Sequence, residues 1–474
     1  MSALWTSQQA CEATGGRLQG PAWQASGLSI DSRTVAPGEL FIALLGPNHD
    51  GHDHVGAALR AGAVAAMVHR LPEDLPADAP LLLVDETLAG LRRLAAAARA
   101  RSPAKILAVT GSVGKTGTKE MLKLALGGDA STHASVGSFN NHWGVPLSLA
   151  RLSPDKSFGV FELGMNHPGE IAPLSALVRP EVAIVTTVEA VHLQFFDSVR
   201  AIAEAKAEIF TGLAQDGTAI LPRDNPFYPL LRERAHQAGV TRFLTFGSHI
   251  EADARLLDYA IAEDRTLVFA LFGDRAISYA VGVPGRPWAI NSLAALLAAE
   301  AAGAPLDTAA AALARMQPPK GRGERKILSW GDGAIIVIDE SYNASPVSVR
   351  AALATLGGIR PPRGGRRIAV LGDMLELGES GIELHRGLVG EIERWEVDLV
   401  FTAGPLMEAL SLALSAQRRG AHAADAAALA PLLAAALKSG DVVMVKGSAG
   451  SRMGQILSIL QELAVPMAPV VNGQ

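Results

Sequence analysis

In the run Gly111-Ser112-Val113-Gly114-Lys115-Thr116-Gly117, glycines, a lysine and a hydroxyl follow the apolar stretch that begins after Lys105. These are the groups that cradle a polyphosphate. Gly111 and Gly114 allow a tight turn that aims backbone N–H groups at phosphate oxygens, Lys115 would reach the outer phosphates, and Thr116 offers a hydroxyl to magnesium. A helix expected over roughly Lys119 to Leu126 would add its positive end. Valine stands at position 109, where the longer G-x-x-x-x-G-K-[ST] pattern has glycine, so the usable pattern is Gly111-x-x-Gly114-Lys115-Thr116. A turn that merely joins a strand to a helix is the competing reading; the strand-then-helix placement favours ATP with Mg2+ as ligands.

Further polar groups cluster where ligands collect in an open α/β sheet, at the carboxyl ends of apolar strands. Glu162, in Phe161-Glu162-Leu163-Gly164, could hold magnesium opposite Thr116, or cap the following turn. His192 enters a loop after the strand Val182 to Thr187; alone it reads more readily as a satisfied loop residue than as a ligand. Lys206 reads from spacing only as a solvent-facing helical lysine. Asn140 and Asn141 lie in Ser138-Phe139-Asn140-Asn141-His142-Trp143-Gly144, where amides can orient phosphate oxygens or a sugar, or simply build turns. Asn291, read as opening a helix from Ser292 to Ala302, could meet an adenine edge with Trp288 as a flat neighbour, or act as a helix cap. Asp339 to Pro346, and Lys446-Gly447-Ser448-Ala449-Gly450-Ser451-Arg452, repeat the pattern further along; the second would suit an anion such as a carboxylate, or be an ordinary solvated turn.

Composition narrows the class. The 474 residues suffice for two to four domains. With 42 Lys plus Arg against 47 Asp plus Glu, there is no electrostatic case for nucleic acid. Cys11 is the sole cysteine, which excludes intrachain disulfides and cysteine-based zinc clusters and suits a reducing compartment. The first residues lack a basic segment followed by an apolar one, and alanine-rich stretches such as Ala57 to Val68 are too short and interrupted to span a bilayer. A cytoplasmic protein without membrane insertion is the expectation.

The elements that must position these groups fall into three stretches. Residues 1–103 read as a small α/β unit, with short strands over Leu28 to Arg33, Leu40 to Leu44, Val64 to Val68 and Leu81 to Val84, helices over His54 to Ala61 and Thr87 to Arg101, and Asp50-Gly51-His52 as a turn. Residues 104–317 read as the phosphate-loop unit, its runs Phe158 to Leu163 and Val182 to Thr187 typical of buried parallel strands. More strands are expected over Gly217 to Leu221, Arg242 to Phe246 and Leu267 to Phe272, a helix capped by Ser198 that continues to Leu213, and helices over Trp288 to Ala302 and Leu306 to Met316. Pro318-Pro319-Lys320-Gly321-Arg322-Gly323 is the clearest boundary. Residues 318–474 alternate strand and helix, from Gly333 to Asp339 through a helix over Gly381 to Arg394 and a strand over Val442 to Lys446 to a last helix over Arg452 to Leu463, as an open doubly wound sheet does. Pro466 to Gln474 read as a loose tail.

Taken together, these segments resemble the Mur ligase family, the ATP-dependent amide-forming enzymes that build the peptide stem of peptidoglycan. The family's phosphate loop is G-T-x-G-K-T-like, which Gly111 to Thr116 matches with Ser112 in place of threonine, and its amide-rich stretch falls on Ser138-x-Asn140-Asn141-x-x-Gly144-x-Pro146-Leu147. The resemblance implies an α/β fold of three domains: a small nucleotide-sugar domain, a central P-loop ATPase domain with a parallel-rich sheet, and a Rossmann-like C-terminal domain. It makes Glu162 the magnesium carboxylate, His192 a metal-binding histidine and Lys206 a carbamylated lysine able to hold a second magnesium, with Lys115 beside them in catalysis. Asp31-Ser32-Arg33 and Asp50-Gly51-His52 resemble the segments that hold the uridine nucleotide and its muramoyl sugar, so Ser32, Arg33, Asp50 and His52, with Asn140 and Asn141, become candidates for the acceptor substrate.

Within the family, Asp339-Glu340-Ser341-Tyr342-Asn343-Ala344-Ser345-Pro346 is similar to the D-D-S-Y-N-A-N-P of the member that adds a dipeptide at the end of the cytoplasmic series. Leu371-Gly372-Asp373-Met374-x-Glu376-Leu377-Gly378 and the turn Lys446 to Arg452 support the same choice. The implied partners are UDP-N-acetylmuramoyl-tripeptide and D-alanyl-D-alanine, joined through an acyl phosphate by a monomer. Asn291, Trp288, Arg322 and Asp339 would contact ATP, and Asn343, Lys446 and Arg452 the dipeptide. A Mur-type or folylpolyglutamate-type ligase adding a single amino acid is the alternative. Four sites depart from the family's commoner residues: Glu340 and Ser345 replace Asp and Asn, Pro287 and Trp288 stand where a His-Asn pair is frequent, and Gln194 stands where glutamate is common after the His-Leu pair.

Overall fold

The computed structural model describes residues 3–362 and 364–464; the tail expected over Pro466 to Gln474 lies outside them. The chain is α/β throughout, organised on three main sheets. The first has five strands in the spatial order Arg17–Gln19, Leu81–Leu83, Ala65–Val68, Glu39–Ile42, Gly27–Ser29, parallel except for the first pair. Beside it runs the helix Thr87–Arg101, as the sequence predicts. Glu86 starts it by accepting the Leu88 and Ala89 N–H groups, and it buries Leu91, Leu94, Ala95 and Ala98 on one face.

The central sheet has nine strands, in the order Arg275–Val281, Thr266–Phe272, Ala254–Ile261, Arg242–Gly247, Thr218–Pro222, Val182–Val185, Lys105–Thr110, Phe158–Glu162, Thr132–Ala134. It is parallel from Ala254–Ile261 onward, while the three strands at the other edge form an antiparallel meander. The strand Lys105–Thr110 is covered on both faces. Ile106 and Ala108 enter one core and Leu107 and Val109 another, and each large apolar side chain so buried contributes about 1.5–3 kcal/mol. Its carboxyl end runs straight into the phosphate loop.

The third sheet has six strands, Glu324–Trp330, Gly333–Glu340, Val442–Lys446, Arg367–Gly372, Leu399–Ala403, Arg419–Ala423; the first pair is antiparallel and the rest parallel. Two cores of its own sandwich it. The first and second units share one core instead: Trp5, Leu28 and Leu94 belong to the same buried cluster as Leu147, Phe161 and Ile171. Trp5 Nε1 donates to the Ala150 carbonyl at 3.0 Å, and the Arg151 guanidinium donates to the Leu28 carbonyl. No described helix is long and apolar enough to cross a membrane.

Several expectations are corrected. The phosphate-loop helix is Lys115–Ala125 and starts four residues before the predicted Lys119. Ser198 does cap a helix, but the α-helix is Val199–Ala207 and tightens into a 3-10 turn over Glu208–Gly212. The helix expected over Gly381 to Arg394 is two helices, Gly381–Arg386 and Val389–Arg394, separated where Gly387 weakens helix propensity. Unforeseen are the strands Thr132–Ala134, Ala254–Ile261, Arg275–Val281, Glu324–Trp330 and Arg419–Ala423 and the helix Tyr228–Gln237. Most of these are half-solvated elements, whose polar residues hide the apolar runs that mark buried strands.

Candidate active site

The phosphate loop is packed so closely that glycine is required at its turns. Gly111 has φ 147°, and a Cβ there would lie 1.9 Å from Thr186 Oγ1. Gly114, at φ 88°, precedes the first helical residue, and a Cβ on it would lie 2.6 Å from the Asn291 amide. Gly117 faces the Trp288 ring, which a Cβ would approach to 2.8 Å. Thr186 Oγ1 donates to the Val113 carbonyl at 2.6 Å, and Ser112 N donates to the Thr187 carbonyl, so the loop is stitched to the end of the neighbouring strand. Gly114 gives the helix Lys115–Ala125 no side-chain cap. An anion at that end would take the place of the missing acceptor.

Lys115 folds back over the loop and donates to the Gly111 carbonyl at 2.8 Å. Burial lowers its pKa; Arg322 adds to the shift and Glu162 opposes it. The Glu162 carboxylate is buried. It accepts from Thr116 Oγ1 at 2.8 Å through one oxygen and from Asn140 Nδ2 at 2.7 Å through the other. A hydroxyl paired with a buried carboxylate at the foot of a phosphate loop is an oxygen donor set of the kind magnesium takes alongside phosphate oxygens, so Thr116 and Glu162 fit the implied metal. Asn140 therefore steers a carboxylate rather than presenting its amide to a substrate. Asn141 Oδ1 likewise turns inward, onto the Trp143 and Gly144 N–H groups at the start of the helix Gly144–Ala150.

The second expected metal position is built differently. His192 sits at φ 55° with Nδ1 2.6 Å from Glu376 Oε2 of the third unit. Burial, helped by Lys115 and Lys206, lowers the imidazole pKa against the opposing pull of Glu376. Lys206 is buried rather than solvent-facing, and among the described residues its ammonium has no hydrogen-bond or ion-pair partner. Burial pushes its pKa well below the usual lysine range, with the charge of Lys115 adding to the effect. An unmodified ammonium ligates no cation, so Lys206 fits a metal only as the carbamate. Among the described residues no three His, Cys, Asp or Glu side chains converge as a ready-made metal cluster.

Arg322 bridges the second and third units. Its guanidinium stacks on the Tyr342 ring at 4.1 Å and reaches to 3.5 Å from Ser138 Oγ, which is itself 3.3 Å from Thr116 Oγ1. Asn291 lies in the second turn of the helix Arg286–Ala301 and does not cap it; with Trp288 it backs the phosphate loop. Asp339 is buried and spends Oδ1 on Ser341 N and Oγ, which organises the turn. Lys446, also buried, donates to Glu340 Oε2 at 3.1 Å and to the Asn343 carbonyl at 3.0 Å, so it is no solvated turn residue. Ser345 replaces the commoner asparagine and caps the helix Pro346–Gly357. Above these groups opens a cavity of about 550 Å³ lined by Ser341, Tyr342, Asn343, Ala449, Arg452, Gly454 and Gln455.

In the first unit, Arg33 pairs with Asp31 at 2.7 Å in solvent, with Ser32 between them. Asp50 holds Arg70 at 2.8 Å and the His52 ring at 2.6 Å. His52 is buried and its other ring nitrogen accepts from His69 N, so both nitrogens are spent and the ring is not free for a ligand. Two residues to which the sequence assigns no individual role belong to the centre. Lys119 Nζ donates to the Ser135 and Gly137 carbonyls and anchors the strap that carries Ser138 and Asn140. Glu376 meets His192. Lys119 stands one helical turn after Lys115, a spacing that a helix beginning at Lys119 does not reveal.

Comparison with known proteins agrees over nearly the full length. Three family models match in order: the Mur ligase family catalytic domain over residues 24–99, the Mur ligase middle domain over 109–299, and the Mur ligase glutamate ligase domain over 321–449. The chain is 34% identical over 459 residues to the UDP-N-acetylmuramoyl-tripeptide–D-alanyl-D-alanine ligase of Escherichia coli, covering 96% of this chain and 98% of that protein. Among solved structures, MurF from Acinetobacter baumannii superposes with a TM-score of 0.83 at 30% identity, covering 97% and 99% of the two chains. MurF ligase from Thermotoga maritima, in complex with ADP, superposes at 0.75 and 28% identity over 92% and 97%. Phosphate loop, buried carboxylate and three-sheet order together define an ATP-dependent ligase that forms amide bonds. The chain belongs to the Mur ligase family.

Proposed function

We propose that this protein joins D-alanyl-D-alanine to UDP-N-acetylmuramoyl-tripeptide at the expense of ATP, in the synthesis of peptidoglycan precursors. The observation that carries this reading is its likeness, over almost all of both chains, to ligases bearing that activity in their names. In our reading residues 1–103 hold the UDP-muramoyl peptide, residues 104–317 hold ATP, and residues 318–474 close over the nucleotide and bind the dipeptide. We assign the protein to the cytoplasm, where its nucleotide substrates are found.

A carboxylate resists amines because its leaving group is poor. The terminal carboxylate of the tripeptide attacks the γ-phosphorus of ATP, ADP departs, and the resulting acyl phosphate carries a good leaving group. The dipeptide amine then adds to the carbonyl carbon, and the tetrahedral intermediate expels phosphate. Loop N–H groups and Lys115 stabilise charge on the transferring phosphoryl group. Thr116 and Glu162 would hold the nucleotide's magnesium, and His192 with carbamylated Lys206 a second one; bound there, magnesium neutralises the phosphate charge that repels the incoming carboxylate. In our reading Arg322, 3.5 Å from Ser138 Oγ, contacts the outer phosphates, and the third unit excludes water from the acyl phosphate. Asn343 and Arg452 line the third-unit cavity, which supports reading them as dipeptide contacts, with Lys446 holding the Asn343 carbonyl.

The test is phosphate release from ATP with the UDP-muramoyl tripeptide and a panel of amines, using acceptor labelled with oxygen-18 in its carboxylate. Release that depends on D-alanyl-D-alanine, with the label passing to phosphate, is expected. A response only to single amino acids would favour the other ligases of the family, and phosphate without label would defeat the acyl-phosphate route.

A further inference from the structure

The third-unit loop around Glu376 and the second-unit loop around His192 meet at two points. Glu376 Oε2 lies 2.6 Å from His192 Nδ1, and the Glu376 carbonyl accepts from Gln194 N at 3.1 Å. Both partners are strained: His192 has φ 55° and Glu376 φ 63°, the left-handed region that non-glycine residues seldom enter. Such conformations persist where the surroundings over-determine them, and they gather at functional contacts. Here two of them face each other across the boundary between units.

A carboxylate on one ring nitrogen fixes the proton there and leaves the lone pair on the other. With Nδ1–H donating to Glu376, the His192 lone pair is on Nε2, the tautomer a metal ligand needs. The histidine's own loop does not supply that carboxylate, since the nearby position 194 is glutamine and contributes its backbone N–H to Glu376 instead. We propose that Glu376 is a positioning residue that sets the tautomer and direction of His192 from the third unit, so that the second metal position is complete only while that unit is docked. This rests on the reading of His192 as a metal ligand. Docking of the domain that brings the amine is thereby coupled to assembly of the centre that activates the carboxylate.

The experiment is Mn2+ binding to the full chain, followed by electron paramagnetic resonance with a non-hydrolysable ATP analogue, for the wild type, H192A, E376A, E376Q and H192A/E376A. H192A should weaken the less tightly held of two Mn2+ ions. E376A should weaken the same ion by about 10- to 100-fold, the usual effect of removing an outer partner of a ligating histidine. E376Q, whose amide oxygen still accepts from Nδ1–H, should lose less, and the double variant should be no worse than H192A. In turnover, E376A should need more Mg2+ and recover its kcat when Mg2+ is raised, a rescue that a folding defect would not show. Unchanged Mn2+ binding in H192A would remove the ligand reading and the proposal with it. If H192A weakens the ion while E376A binds it like the wild type, or the two losses add, the coupling is wrong and the ligand reading stands.

Discussion

Replacing Lys119 by methionine isolates what holds the strap in front of the phosphate loop. The side chain is fully enclosed, its ammonium donates to the Ser135 and Gly137 carbonyls, and Glu120 Oε1 lies 2.7 Å away. Methionine keeps an unbranched stem of similar length and removes the charge together with its N–H donors. The Gly137 carbonyl, on an exposed residue, and the partly exposed Glu120 regain water; the Ser135 carbonyl, on a buried residue, does not. A hydrogen bond to a charged group is worth about 1.5–3 kcal/mol and an unsatisfied buried group costs about 1–3 kcal/mol, so K119M should lose about 2–4 kcal/mol of stability. Because the strap carries Ser138 and Asn140, the hydroxyl–carboxylate pair of Thr116 and Glu162 loosens too. If about half of the loss is felt there, kcat/KM for ATP falls about 10-fold, and up to about 30-fold at the upper bound. The KM of the muramoyl substrate should move far less. Denaturant unfolding and phosphate release across ATP and Mg2+ titrations measure the two effects. A variant that loses stability yet keeps wild-type ATP and Mg2+ kinetics would refute the link between strap and carboxylate; one that keeps both would refute the accounting for the buried ammonium.

Three further outcomes follow from the geometry. K206A should abolish turnover, and formate or acetate should restore part of it by placing a carboxylate where the carbamate stood; no restoration, together with indifference to bicarbonate, would sink the modification. G111A sets a methyl group 1.9 Å from Thr186 Oγ1 at a φ of 147° and should raise the Kd for ATP by about 100-fold, the equivalent of about 2.7 kcal/mol, while circular dichroism stays that of the wild type; wild-type affinity would show the loop to be slacker than it looks. His133 donates from Nε2 to the Ser148 carbonyl, and burial holds its pKa down at about 4. The unfolded chain takes up that proton first as pH falls, so stability is present above about 6.5 and is lost progressively down to about 4, by about 3 kcal/mol. H133F should flatten that part of the stability–pH curve, and an unchanged slope would contradict the burial.

What could be read from the sequence was what burial writes into it. The strand Val442–Lys446 and the helix Thr87–Arg101 have the predicted bounds, because an enclosed parallel strand is a continuous apolar run and an acidic cap with a basic last turn brackets a helix. The meander Ala254–Ile261, Thr266–Phe272, Arg275–Val281 was only a third legible. Its outer strands carry Arg255, Asp258 and Arg275 on a solvated face, which breaks the run. At the site, residue types announced the phosphate loop, but no periodicity says whether Asn140 turns to a ligand or to Glu162, nor that Glu376 crosses 184 residues to meet His192. Those are tertiary facts, decided by which loops the sheets bring side by side.

The hydrophobic cluster that runs unbroken from Trp5 and Leu94 to Phe161 and Ile171 has a consequence for substrate choice. Two units welded through a common interior cannot slide to suit molecules of different size. In the proposed reading, with the sugar nucleotide held by the first unit, its distance to the Glu162 carboxylate beside Thr116 is set by that frame, which would serve as a ruler. A peptide stem one residue too short would leave its reactive end short of the phosphate, and one too long would overshoot it.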